Sequence, residues 1–146
     1  MTLFVKLALL CAFCAITMAQ DSMMEDSKKY IKQCMEETKA MKKDFEDFGA
    51  QKLRPADVPD SLKCMMKCFM EKMGYFDAGT VNFNAKVFST KLSAVAKPED
   101  LQIAVNACKD LKGANPCDTG FMIMSCLWKN KMMQSSWGFL TGNTSA

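Results

Sequence analysis

Six cysteines constrain this chain more than any other feature. They are Cys34, Cys64, Cys68, Cys108, Cys117 and Cys126, with 29, 3, 39, 8 and 8 residues between successive members. Two more, Cys11 and Cys14, fall within the first 19 residues, where Lys6 is the only charge, residues 7–16 are apolar and Thr17-Met18-Ala19 closes on a small side chain. That order is a secretory signal peptide, so residues 1–19 are expected to leave and the remainder to fold in an oxidising compartment. An even number of cysteines there implies disulfides. A metal site is set aside, because the chain has no histidine and oxidation favours bridges over thiolate ligands.

Removing 19 of 146 residues leaves one domain, residues 20–146, with 127 residues, 18 basic and 16 acidic side chains and a net charge of +2. Lysines interleaved with acids describe a solvated helical surface, so nucleic acid is excluded as a partner. No stretch after Gln20 reaches the roughly 18 apolar residues of a membrane span. Three bridges can be drawn in fifteen ways. On one helix Cys117 and Cys126 would lie on opposite sides and should not pair with each other, whereas Cys64 and Cys68 share a face and should each seek a partner on another helix.

Few prolines and glycines, abundant Met, Lys, Ala, Leu and Glu, and no β alternation predict an all-α chain of six helices. The first spans about Met23 to Met41, capped by Asp21 or Ser22, and the second about Asp44 to Gln51. The third, Asp60 to Met73, starts behind Pro59 and stops at Gly74, with Leu62, Met66, Phe69, Met70 and Met73 as an apolar stripe and Lys63, Lys67 and Glu71 as a wet one. Residues 75–83 form a loop through Gly79, and Asn82 or Asn84 caps a fourth helix reaching Val95, with Val87, Phe88 and Leu92 inward. Pro98 and Gly113 bracket the fifth. The sixth, Asp118 to Met133, carries Phe121, Met122, Ile123, Met124, Leu127 and Trp128 around most of its circumference and is expected at the centre.

The cysteine rhythm, above all the three-residue and final eight-residue gaps, resembles that of the six-cysteine insect odorant-binding proteins over essentially the whole mature chain. The resemblance implies a compact six-helix disulfide-stapled shell around an apolar cavity, bridged Cys34 to Cys68, Cys64 to Cys117 and Cys108 to Cys126. It implies an extracellular carrier of a small hydrophobic ligand, an odorant or pheromone, delivered towards a membrane olfactory receptor, with no cofactor and a monomer or weak homodimer as the unit. Relatives outside smell carry other ligands. The sequence pI of about 8.4 departs from the family's many acidic members, and without histidine any pH-driven release would fall to carboxylates such as Glu71 or Asp77.

The expected ligand walls are the free apolar stripes: Leu62, Met66, Phe69, Met70 and Met73, then Phe76 and Phe83 from the loop, Val87, Phe88 and Leu92, and Met122 and Ile123. Twelve methionines remain once two of the 14 leave with the signal, and their flexible side chains suit ligands of varied shape. Trp137, Phe139 and Leu140 in the polar tail 134–146 are read as a lid, Tyr75 and Ser125 as candidate polar contacts, and Asn143 as a glycosylation sequon. Catalysis is excluded by the missing histidine and bridged cysteines, which also rules out a secreted phospholipase A2. A secreted helical signalling or saposin-like protein is the remaining rival, distinguished by a solid core or a different cysteine rhythm.

Overall fold

The computed structural model describes residues 22–77 and 79–132. Among them the backbone forms six α-helices: α1 (residues 22–38), α2 (Lys42–Gly49), α3 (Asp60–Lys72), α4 (Ala85–Leu92), α5 (Pro98–Cys108) and α6 (Pro116–Lys129), with a 3-10 turn at Pro55–Asp57. The expected signal peptide at residues 1–19, Asp21, Met133, the 134–146 tail and Asn143 lie outside the described residues.

Local chemistry sets the helix ends. The Asn84 side chain accepts from the Val87 N–H at 3.1 Å, which makes it the cap of α4. Gly74, at φ 74°, closes α3 in a Schellman turn, in which Tyr75 N–H donates to Met70 O at 2.8 Å and Gly74 N–H to Glu71 O at 2.9 Å. Several ends differ from the sequence reading. Left-handed Lys39 (φ 59°) stops α1 short of Met41, and left-handed Gln51 (φ 57°) follows α2. Helix α4 ends at Leu92, whose carbonyl accepts from both Val95 and Ala96 N–H groups. Helix α6 starts two residues early because Pro116 occupies its first turn behind the Asn115 cap, and it ends at Lys129, where Asn130 donates to Cys126 O and Lys131 turns left-handed (φ 63°).

Helix α3 organises the packing. Disulfide Cys34–Cys68 ties it to α1 on one flank, Cys64–Cys117 ties it to α6 on the other, and Cys108–Cys126 joins α5 to α6. The pairs are those the resemblance implies, and each joins two helices. The wet stripe of α3 is less wet than its composition suggests, because α6 covers it. Lys63 Nζ bonds Asp118 of α6 at 3.1 Å and Asp60 at 3.2 Å, and these carboxylates raise its pKa. A Cβ on Gly120 of α6 would stand 2.7 Å from Lys67 Cβ and 2.8 Å from its Cα. Only a glycine permits that approach.

With its flanks stapled, α3 turns Leu62, Met66, Phe69, Met70 and Met73 into a core shared with Phe88 and Leu92 of α4, Leu101 and Val105 of α5, and Ile123, Met124 and Leu127 of α6. Helix α6 is not buried all round: Met122 is 36 % exposed, since it lies about 160° from the Gly120 side that meets α3. An isolated antiparallel bridge joins Phe76 to Phe83 between α3 and α4. Tyr75 is buried with its ring edge-on to Phe88 at 5.1 Å, and burial pushes its phenol up to about 12.

Two outcomes follow from this packing. Gly120→Ala should cost about 1–3 kcal/mol by forcing α6 off α3, read as a lower urea midpoint; an unchanged midpoint would contradict the close approach. For Tyr75 the neutral phenol is favoured in the fold, so its contribution is complete below pH 10 and drains away as pH rises towards 12. An alkaline absorbance titration should show a tyrosinate step near pH 12 that Tyr75→Phe removes; if the substitution leaves that step in place, Tyr75 is not its source.

Candidate ligand-binding site

Two spaces lie along the seam between α1 and α3. The first is an apolar void of about 10 Å³ bounded by Ile31 of α1, Phe45 of α2, Met65, Met66 and Phe69 of α3, and Met124 of α6. It has room for about one water and its walls offer carbon and sulfur alone, so the ligand-sized apolar cavity expected from the resemblance is filled here by side chains, Met65, Met66 and Met124 among them. The second is a groove of about 250 Å³ open to solvent, bounded by Ser22, Met23, Asp26 and Tyr30 of α1, Met73 just after α3, and Lys91 of α4. Helix α1 supplies Tyr30 to the groove and Ile31 to the void.

The expected wall residues divide among these surroundings. Met66 and Phe69 border the void and Met73 borders the groove. Leu62, Met70, Phe76, Phe88, Leu92 and Ile123 are buried in the same core, and Phe83 and Val87 pack against it half-buried. Met122 faces outward and is not brought together with the others. Trp137, Phe139 and Leu140 lie outside the described residues.

Sequence reasoning missed Ile31, Phe45, Met65 and Met124 at the void. Met65 carried a usable signal, since it stands four residues before Phe69, about 40° away on the helix. A stripe widened by that angle would include it. For Ile31 and Phe45 no inward face had been assigned to the first two helices.

Polar side chains border the groove, as Ser22, Asp26, Tyr30 and Lys91, and among the described residues none borders the void. Ser125 Oγ is shielded from solvent and has no hydrogen-bond partner among the described residues. Asp77 accepts from Asn84 Nδ2 at 2.8 Å, and Glu71 pairs with Lys67 at 2.9 Å, so both carboxylates are engaged at the surface. Among the described residues no group of three or more His, Cys, Asp or Glu side chains could hold a metal, and no helix is long and apolar enough to cross a membrane.

Comparisons with known proteins agree with the disulfide pattern and the helical frame. The chain is 28% identical to General odorant-binding protein 56a of Drosophila melanogaster over 106 residues, 73% of each chain. It is 30% identical to Odorant-binding protein 10 of Aedes aegypti over 136 residues, 90% of this chain and 91% of that one. Among solved structures it resembles the fatty acid binding protein OBP56a from the oral disk of the blowfly Phormia regina, with a TM-score of 0.62, 28% identity and coverage of 76% of this chain and 93% of the other. The medfly odorant-binding protein CcapOBP22/CcapOBP69a shares the fold at a TM-score of 0.54 and 23% identity, over 76% and 97% of the two chains. The PBP/GOBP family model matches residues 17–130, and with six helices and three bridges in place the chain belongs to that family.

Proposed function

We propose that this chain is a secreted carrier that takes a small hydrophobic molecule into its helical interior. The observation that carries the reading is the methionine-lined void inside a cross-linked frame. A cavity of ~300 Å³, the lower end for small-molecule sites, would cost on the order of 7 kcal/mol if left empty. That is comparable to the whole stability of a small domain. Side chains able to close over the space without a guest and swing aside for one avoid the penalty, and Met65, Met66 and Met124 are flexible enough to do both. Bound ligand then stabilises the fold by mass action.

The destination is a finer matter, on which two readings have support. Delivery of an odorant or pheromone towards a membrane receptor fits the names of the fly and mosquito relatives. A non-olfactory carrier in another body fluid is favoured by the blowfly neighbour from an oral disk and by the basic pI of about 8.4. The tail 134–146, with Trp137, Phe139 and Leu140, is assigned the role of lid on either reading.

Displacement of a fluorescent apolar probe from the oxidised protein by small volatiles should be saturable, with one site and a micromolar Kd. Folded protein that takes up no probe would end the carrier reading. A chain ending at Met133 should release its ligand several-fold faster in stopped-flow dilution; equal rates would remove the lid.

A further inference from the structure

Lys91 holds an unusual place for a surface lysine. Its Nζ donates to the carbonyl of Met73 at 2.7 Å and sits 5.8 Å from the centre of the buried Tyr75 ring. Those two contacts fix the ammonium at the rim of the α1–α3–α4 groove. Among the described residues it makes no ion pair, unlike Lys42, Lys43, Lys52, Lys63, Lys67, Lys72 and Lys109. An ammonium has three N–H donors, so two remain for a ligand.

Behind the groove α1 and α3 lie side by side. As α1 runs from Ser27 to Cys34, its neighbour on α3 runs back from Met73 to Cys68, through the Ser27 Oγ to Met73 Sδ contact at 3.8 Å and the Cys34–Cys68 bridge. Met73 borders the groove and Met66 the void. Seven residues of helix separate them, about 10 Å. Between them on the same face lie the buried side chains of Phe69 and Met70. A flexible hydrocarbon chain entering past Met73 therefore meets only apolar groups on α3 until it reaches the void.

A cationic rim at one end of an apolar seam has the chemistry of an amphiphile site. Resting on the carrier reading, we propose that Lys91 seats the carboxylate head of a long straight-chain acid, with its tail running inward along the α1–α3 seam past Met73. The salt bridge is what distinguishes acid from ester or alcohol, since a charged acceptor takes the remaining Lys91 donors more strongly than a neutral one. Asp26 borders the same groove and works against an anionic head, so its charge limits affinity for the acid and leaves an ester unaffected.

The test compares hexadecanoic acid with its methyl ester at about pH 8, where the acid is ionised, by probe displacement on the full oxidised chain. Lys91→Gln should weaken the acid about five- to tenfold and leave the ester unchanged. Lys91→Arg should restore most of the difference, and Asp26→Asn should tighten the acid about twofold or more without moving the ester. Equal affinities of Lys91→Gln and wild type for the acid would overturn the assignment. So would a parallel loss for acid and ester, because Lys91 would then act only by bracing the Met73 carbonyl. Wild-type protein that binds neither compound sinks the carrier reading itself, whereas ester binding that survives while the acid is not preferred sinks the head-group site alone.

Discussion

Everything in the fold leans on the double staple of α3. Cys64 and Cys68 stand one helical turn apart, yet one bridge goes to α6 and the other to α1. Each closes a long loop in the unfolded chain and is worth roughly 3–4 kcal/mol by that restriction. The pairing also decides orientation. With α1 and α6 attached on the cysteine side of α3, its Leu62, Met66, Phe69, Met70 and Met73 have nowhere to face but inward.

The staples permit an interior built from soft side chains. Met65, Met66, Met70, Met73 and Met124 are all buried, and unbranched thioethers define a shape less sharply than Leu or Ile would. In a chain held by packing alone such a core would blur the native state. Here the helix positions are set covalently, and the side chains between them are left adaptable.

Much of this organisation could be read from the residues. Gly74 and Asn84 announced the end of α3 and the start of α4, because a left-handed turn and a side-chain cap are local chemistry. The inward stripe of α3 was visible in its 3.6-residue rhythm. What escaped depended on tertiary contact. Lys63 and Lys67 read as solvated until α6 is laid over them, Gly120 shows its purpose only against the Lys67 backbone, and Met122 looks like core until the direction of α6 is known. Pro116 lies just ahead of the start read for the sixth helix, and since a proline is as well accommodated in a first turn as in a break, only the structure shows that it opens the helix. Lys91 had no distinguishing mark among so many lysines. Its place comes from the Met73 carbonyl and the Tyr75 ring, 18 and 16 positions earlier in the chain.

The bridges also sort the helices into two kinds. Helices α1, α3, α5 and α6 are chained together through sulfur, whereas α2 and α4 contain no cysteine. Each of these two contributes to one of the two spaces: Phe45 of α2 closes the void, and Lys91 of α4 edges the groove. No cross-link restrains α2 or α4, so displacing either of them breaks no covalent tie between helices. Evolution could retune such a protein for a new guest by rewriting α2 and α4 without disturbing a single cross-link.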